Sequence, residues 1–298
     1  MSFMNGVIVK GIGGFYYVQA EDGHVYECRG RGKFRLDQVT PVAGDHVRFE
    51  PTGESRFGYL YEIEERKNYM VRPPIANVDQ FLLVLAASTP KPDMLLCDKL
   101  LIQAERVGVL AGLVLNKSDE ADPFVMDDIR ADYQNLPYAF FVTSAKTGEG
   151  LNELEQAMEN KLSCFSGQSA VGKSSLINAL CQSLELETGG LSKKTARGRH
   201  TTRASTLLKL EKTRGYVVDT PGFSLLELEN LPQEEIQLYY PEMQPFRAQC
   251  RFANCMHIAE PGCAVKHMVE EGGIPKERYN RYKTLCQEQQ KKQRKKYR

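Results

Sequence analysis

No stretch of this 298-residue chain stays apolar for the roughly 18 residues that a membrane-spanning helix needs. Met1 to Gly6 has neither the charged start nor the apolar core of a signal peptide, so a cytoplasmic protein with no membrane partner is expected. An excess of either charge sign is also missing. Lys and Arg number 39 against 38 Asp and Glu, which excludes a uniformly basic nucleic-acid coat. Hydrophobic residues at 42% and charged residues at 26% exclude wholesale disorder. Tryptophan is absent, and no internal repeat is visible. A disulfide framework is missing too. Three of the eight cysteines crowd into positions 250 to 263, while Cys28, Cys97, Cys164, Cys181 and Cys286, like His267, belong to no motif and read as structural or incidental. That usage suits a reducing compartment with one metal site.

The length suggests two or three compact units. Residues 1–70 alternate short β-rich runs with turn residues, at Gly6–Lys10, Gly14–Gln19, His24–Cys28, Asp45–Glu50 and Gly58–Ile63. Five short strands at this spacing read as a small OB-type β-barrel. Arg29, Arg31, Lys33 and Arg35 recur in a Gly-spaced loop beside Tyr26 and Phe34. Such a loop serves either as an RNA-binding surface, with cations on phosphates and aromatics on bases, or as a solvated basic loop over an aromatic core. Arg72-Pro73-Pro74 marks the first boundary, where a double proline favours an extended connector. Residues 71–230 follow strand–helix–strand order: the apolar run Gln80–Ala87, the helical pattern Met94–Arg106 and the apolar run Gly108–Leu115 predict a mostly parallel α/β sheet. From residue 231 helical stretches flank the Cys/His cluster.

Gly167-Gln168-Ser169-Ala170-Val171-Gly172-Lys173-Ser174 fits the phosphate-binding P-loop, with a strand expected at Leu162–Phe165 before it and a helix from about Ser175 after it. Its glycines let backbone N–H groups wrap phosphates, Lys173 reaches the β- and γ-phosphates, and Ser174 offers a hydroxyl to Mg²⁺. The choice of base comes from Asn116-Lys117-Ser118-Asp119 at the end of a buried strand. A carboxylate at Asp119 accepts from guanine N1–H and its amine, whereas adenine would leave it unpaired. Thr143-Ser144-Ala145-Lys146 ends the apolar run Ala139–Val142, where backbone N–H groups meet the guanine oxygen. Asp219-Thr220-Pro221-Gly222 follows Gly215–Val218. Asp219 suits the Mg²⁺ water shell, and the Gly222 N–H suits γ-phosphate sensing. The basic segment 189–203 ends in Arg199-His200-Thr201-Thr202 and reads either as a flexible loop or as a switch whose Thr201 or Thr202 closes on Mg²⁺.

Cys250, Cys255, His257 and Cys263 place three thiols and one imidazole within fourteen residues. That donor set suits one tetrahedral Zn²⁺, and four protein ligands leave no open position, so the zinc is expected to be structural.

The order of these signals is unusual. The base-recognition motifs precede the P-loop and D-T-P-G, the reverse of an ordinary GTPase, so the domain is circularly permuted. In this order, with Arg72-Pro73-Pro74, Asn77-Val78-Asp79-Gln80, Gly198-Arg199-His200-Thr201-Thr202 and the metal cluster, the chain resembles the RsgA (YjeQ/YloQ) family of small ribosomal subunit-dependent GTPases over nearly its whole length. Ala170 stands where family members often carry Gly. The resemblance implies an OB barrel, a central GTPase and a zinc domain acting in late maturation of the 30S subunit, with GTP/GDP, Mg²⁺ and 16S rRNA as partners. A monomer is expected.

Phe223 stands where many GTPases place the Gln that orients water, so the unaided enzyme should be slow. His200 is the candidate to position water, as the family pattern suggests, with a structural role as its alternative. The short path from D-T-P-G to the terminal domain suggests that nucleotide state moves that domain. A P-loop ATPase or kinase is disfavoured by Asn116 to Asp119, and a non-catalytic RNA adaptor by the intact Gly172, Lys173, Ser174 and Asp219. By region, the net charges are −1 for 1–70, −3 for 71–230 and +5 for 231–298, the last ending in six Lys or Arg among eight residues. A basic module of that kind suits rRNA phosphates.

Overall fold

The computed structural model describes residues 3–30, 34, 39–53, 56–71, 73–181, 205–210, 212–219, 228 and 231–296. Compactness groups the chain into two units, each drawing on more than one of the sequence regions: residues 1–81, 150–165 and 174–223 form the first, and 82–149, 166–173 and 224–298 the second.

In the first unit, strands β1 (Met4–Ile12), β2 (Phe15–Ala20), β3 (Val25–Gly30), β4 (His46–Thr52) and β5 (Phe57–Ile63) pair in the order β1-β2-β3-β5-β4, and β4 returns to β1. All pairs are antiparallel except β3 with β5. This closed five-stranded circuit is the OB-type barrel, and closure leaves few free edges. The alternating inward residues Ile8, Val18, Cys28, Val47, Phe49 and Leu60 fill it.

The double proline does not act as an extended connector. Tyr69–Val71 (β6) and Pro74–Ala76 (β7) pair antiparallel as a hairpin, with Val71 opposite Pro74. A proline is tolerated there because the first residue of an edge strand can lack a ladder donor. Polar side chains then fasten this segment to the barrel. Buried Asp45 accepts from the Val42 N–H at 2.8 Å and from Arg66 Nε at 2.7 Å, and Asn77 Nδ2 donates to Gly44 O at 2.8 Å. Asp79 Oδ2 accepts from the N–H of Leu162, the first residue of β11 (Leu162–Ser166), at 2.8 Å. Strand β11 runs parallel to β13 (Tyr216–Asp219), which pairs antiparallel with β12 (Thr206–Lys209). Helices α3 (Leu151–Ala157) and α4 (Lys173–Leu180) complete the described helical content of this part.

The second unit is built around β8 (Gln80–Ala86), every residue of which is buried, and β9 (Leu110–Asn116), which runs parallel to β10 (Ala139–Val142). Helix α1 (Met94–Val107) begins where the Asp93 carboxylate accepts from the Leu96 N–H and ends at left-handed Gly108. Helix α2 (Pro123–Tyr133) has Asp122 as its N-cap and Pro at its first position, where a missing donor costs nothing. The C-terminal segment contributes a short turn of helix, α5 (Gln244–Arg247), then α6 (Ala264–Glu270) and α7 (Lys276–Lys296). Its core residues Leu231, Ile236, Tyr240, Met243, Val265, Tyr282 and Leu285 share one hydrophobic cluster with Ile102 of α1. The basic terminal residues through Lys296 continue α7 rather than forming an irregular tail.

Candidate nucleotide site and metal centre

The phosphate loop occupies 167–172, between β11 and α4. Gly167 has φ +137°, and a Cβ there would stand 2.3 Å from Val84 O. Gly172 has φ +97°, and a Cβ there would stand 2.3 Å from Asn116 Nδ2. The second glycine is therefore required by the close approach of the N-K-S-D loop as well as by backbone conformation. Ala170 is also left-handed, at φ +65°, a region that disfavours any residue with a Cβ. Lys173 folds back so that Nζ donates to Gly167 O at 2.8 Å and to Gln168 O. Burial lowers its pKa. Gln168 Oε1 accepts from the N–H of Asp93 at 3.0 Å, joining the loop to the start of α1.

The two segments that the sequence predicts to recognise the base meet this loop. Buried Asn116 donates from Nδ2 to Val171 O at 2.9 Å and accepts on Oδ1 from the Ala145 N–H at 3.2 Å. Lys117 takes a left-handed backbone at φ +66°, and its Nζ donates to Ala170 O at 2.9 Å and to Thr89 O. Asp119 accepts from Ser144 Oγ at 2.6 Å and pairs with Lys146 Nζ at 3.2 Å. The Ser144 hydroxyl first, and Lys146 with it, hold the Asp119 carboxyl below the usual carboxylate range. An ionised acceptor at this point matches the paired donors of guanine. The sequence predicts backbone N–H groups at 143–146 that meet the guanine oxygen; in this structure that of Ala145 is engaged by Asn116, and those of Lys146 and Thr147 by Ser144 Oγ at 3.3 and 3.1 Å.

Asn116 to Asp119, Thr143 to Lys146 and Gly167 to Lys173 thus lie together in the second unit. Ser174 and Ser175 lie in α4, and Asp219 ends β13, in the first unit. His200, Thr201, Thr202, Thr220, Pro221, Gly222 and Phe223 lie outside the described residues, as do Arg31, Lys33 and Arg35. Arg29 is exposed on β3, with its guanidinium 4.6 Å from the centroid of the Phe15 ring, while Tyr26 and Phe34 pack against the barrel core.

Cys250, Cys255, His257 and Cys263 present ligand atoms that all lie within 4.8 Å of one another. Cys250 Sγ stands 3.9 Å from Cys263 Sγ and 3.6 Å from His257 Nδ1, and His257 Nδ1 stands 3.3 Å from Cys263 Sγ. A tetrahedral thiolate–imidazole site has edges of about 3.5 to 3.8 Å, so the cluster fits a metal ion. His257 Nε2 faces Gln237 Oε1 at 2.8 Å, which also accepts from Arg247 Nε at 3.0 Å. As that oxygen can only accept, it fixes the proton on Nε2 and leaves the Nδ1 lone pair toward the thiols. Burial, then the Arg247 charge, lowers the His257 pKa and favours the neutral ring a metal needs. Burial pushes the Cys255 thiol up to about 12, so an incoming cation must displace its proton. The motifless cysteines Cys28, Cys97, Cys164 and Cys286 are buried, and His267 is exposed beside Glu271 at 3.3 Å.

Gln237, twenty residues before His257, carries no motif that would have flagged it. The same holds for Glu149, although it lies three residues beyond Lys146: its Oε2 accepts from Ser118 Oγ at 2.6 Å.

Comparison with known proteins matches this arrangement across the chain. A family model described as the RsgA GTPase matches residues 63–229, and one described as the RsgA N-terminal domain matches residues 5–60. The small ribosomal subunit biogenesis GTPase RsgA of Caldanaerobacter subterraneus subsp. tengcongensis is 44% identical over 297 residues, covering 100% of this chain and 99% of that protein. Its namesake from Geobacillus sp. strain WCH70 is 45% identical over 286 residues, 95% and 96% of the two chains. Among solved structures, YjeQ from Thermotoga maritima matches with a TM-score of 0.83 at 34% identity, covering 97% of this chain and 99% of that one. YloQ, a circularly permuted GTPase, matches with a TM-score of 0.81 at 35% identity, covering 98% and 96%. With its OB-type barrel, permuted motif order and C-terminal Cys/His cluster, this chain belongs to the RsgA family of GTPases.

Proposed function

We propose that this GTPase acts in late maturation of the small ribosomal subunit, binding the subunit through 16S rRNA and hydrolysing GTP faster when bound to it. The observation that carries the reading is the convergence of Asn116, Asp119, Ser144 and the 167–173 loop in one unit, within a chain that matches ribosome-biogenesis GTPases end to end. Asp119 accepts from the guanine N1–H and amine, and Ser144, Ala145 and Lys146 line the base beside it. Gly167, Gln168, Ser169, Ala170, Val171, Gly172 and Lys173 bind phosphates through backbone N–H groups and the Lys173 ammonium, with Ser174 and Ser175 opening the helix whose N-terminus favours their charge.

Ser174, Asp219 through water, and Thr201 or Thr202 are hard oxygen donors of the kind Mg²⁺ takes, and the ion when bound neutralises charge on the β- and γ-phosphates. Gly222 senses the γ-phosphate. Phe223 cannot orient water, so the slow free enzyme depends on the subunit to order the loop around His200, which positions the nucleophile. Completion of such a site in trans is worth about 10³- to 10⁵-fold.

Cys250, Cys255, His257 and Cys263 hold one structural Zn²⁺. The cations of residues 29–35 and of the terminal helix contact rRNA phosphates, with functional boundaries near residues 70 and 230 and the protein acting as a cytoplasmic monomer. Nucleotide state reaches the terminal domain through the segment after Gly222.

GTP turnover measured alone and with purified small subunits tests the reading. Stimulation by the subunit, lost in His200→Ala with GTP affinity retained, is expected. Turnover indifferent to the subunit overturns the ribosomal role, and hydrolysis of ATP in preference to GTP overturns the base assignment.

A further inference from the structure

The guanine-recognition loop carries three acidic residues, Asp119, Glu120 and Glu149, against Lys146 as the cation that pairs with the first two, at 3.2 and 3.3 Å. A further carboxylate on these loops carries a like-charge penalty, so its bonding partners matter. Glu149 uses both of its oxygen-bearing groups on the two recognition segments. Its side-chain Oε2 accepts from Ser118 Oγ at 2.6 Å, and its main-chain carbonyl accepts from the Ser144 N–H at 3.0 Å.

Two further bonds complete a ring. The Ser118 N–H donates to Thr143 O at 3.0 Å, and Ser144 Oγ donates to Asp119 Oδ1 at 2.6 Å. The Gly148 N–H donates to Ser144 O at 2.9 Å, with Gly148 left-handed at φ +85°, so the turn that brings Glu149 back is itself bonded to Ser144. Asp119 directly follows Ser118 in the chain. Both its backbone, through Ser118, and its carboxylate, through Ser144, are therefore tied to Glu149.

We propose that Glu149 is a positioning residue for base selection, fixing the N-K-S-D loop against the T-S-A-K loop so that Asp119 meets both guanine donors at once. The proposal rests on the reading of Asn116 to Asp119 as the base site. It assigns Glu149 no contact with nucleotide.

The test compares equilibrium binding of GDP and of inosine diphosphate, which lacks the exocyclic amine, by competition against a fluorescent GDP analogue. Glu149→Ala and Ser118→Ala should each weaken GDP about fivefold while changing inosine diphosphate less, compressing the ratio between the two. The double variant should be no worse than either single one, since both remove the same bond. Glu149→Gln keeps an acceptor oxygen and should restore the ratio. An unchanged ratio in Glu149→Ala, additive losses in the double variant, or failure of Glu149→Gln to restore it overturns the proposal. Asp119→Asn is the control: if it leaves GDP binding intact, the base-site reading itself fails, whereas loss of GDP binding there with a silent Glu149→Ala sinks only the role of Glu149.

Discussion

Arg278 and Asp98 stand 180 residues apart in the chain and form an ion pair closed off from water, with side-chain exposures of 1% and 0%. Asp98 also accepts from Arg281 Nε at 2.6 Å and from the Tyr133 hydroxyl, and Arg281 reaches Asp132 at 2.9 Å. Glu242 supplies the second carboxylate to Arg278, and the rings of Tyr133, Tyr138 and Tyr240 lie 5.2, 5.9 and 4.7 Å from its guanidinium. Helices α1, α2 and α7 are thereby joined through one buried charge network.

Removing one partner of such a network leaves uncompensated charge in the interior. Asp98→Asn should cost about 3 to 5 kcal/mol of unfolding free energy. Guanidinium denaturation followed by circular dichroism measures it, and a loss under about 1 kcal/mol would show that the network is not a principal tie of the C-terminal segment.

Ala170 holds a left-handed backbone at φ +65° in the phosphate loop. Relief of about 1 to 2 kcal/mol on substitution by Gly is partly offset by about 0.4 to 1 kcal/mol of added unfolded-chain entropy. Ala170→Gly should therefore stabilise the protein by roughly 0.5 to 1 kcal/mol, and Ala170→Val should destabilise it by more than that, both read as midpoint shifts in the same denaturation experiment. A Gly variant less stable than the parent would contradict the backbone assignment.

Gln237 fixes the proton on His257 Nε2 and thus the lone pair on Nδ1. Gln237→Leu removes that acceptor and should weaken zinc affinity by about 10- to 100-fold, measured by competition with a chromophoric chelator. Equal affinity in variant and parent would mean that the ring is oriented by packing alone.

Asp119 has its carboxyl pKa depressed, chiefly by the Ser144 hydroxyl and also by Lys146. The sign follows: the ionised form is favoured in the folded loop above the ordinary value of about 4, and that preference is lost as pH falls through the lower folded value. Ser144→Ala should move the Asp119 titration upward, seen by carbon NMR of the side-chain carboxyl. GDP binding should then weaken at a higher pH than in the parent.

Local pattern made much of this molecule legible in its sequence. The strands of the barrel are legible to within a few residues because alternation and turn residues are short-range signals, and the apolar run Ala139–Val142 coincides with β10. Asn116, Asp119 and Ser144 are recognisable because each stands at or just after the end of an apolar strand, Leu110–Asn116 or Ala139–Val142. The Arg278–Asp98 pair was not, since nothing in a local window distinguishes a buried arginine from a solvated one. Nor was the hairpin at Pro73-Pro74, where pairing of Tyr69–Val71 with Pro74–Ala76 overrode the tendency of double proline to run extended. The left-handed state of Ala170 likewise runs against its residue type.

The continuity of α7 gives the basic C-terminus a fixed reach. At 1.5 Å per residue, the sixteen steps from Arg278 to Arg294 span about 24 Å of rigid rod. One end of the rod is sunk among Asp98, Glu242 and three tyrosines, and the other carries Lys291, Lys292 and Arg294. Being one continuous helix, the rod acts as a spar: it holds those cations at a set distance from Asp98 in α1, whose capping residue Asp93 is bonded to Gln168 in the 167–172 loop.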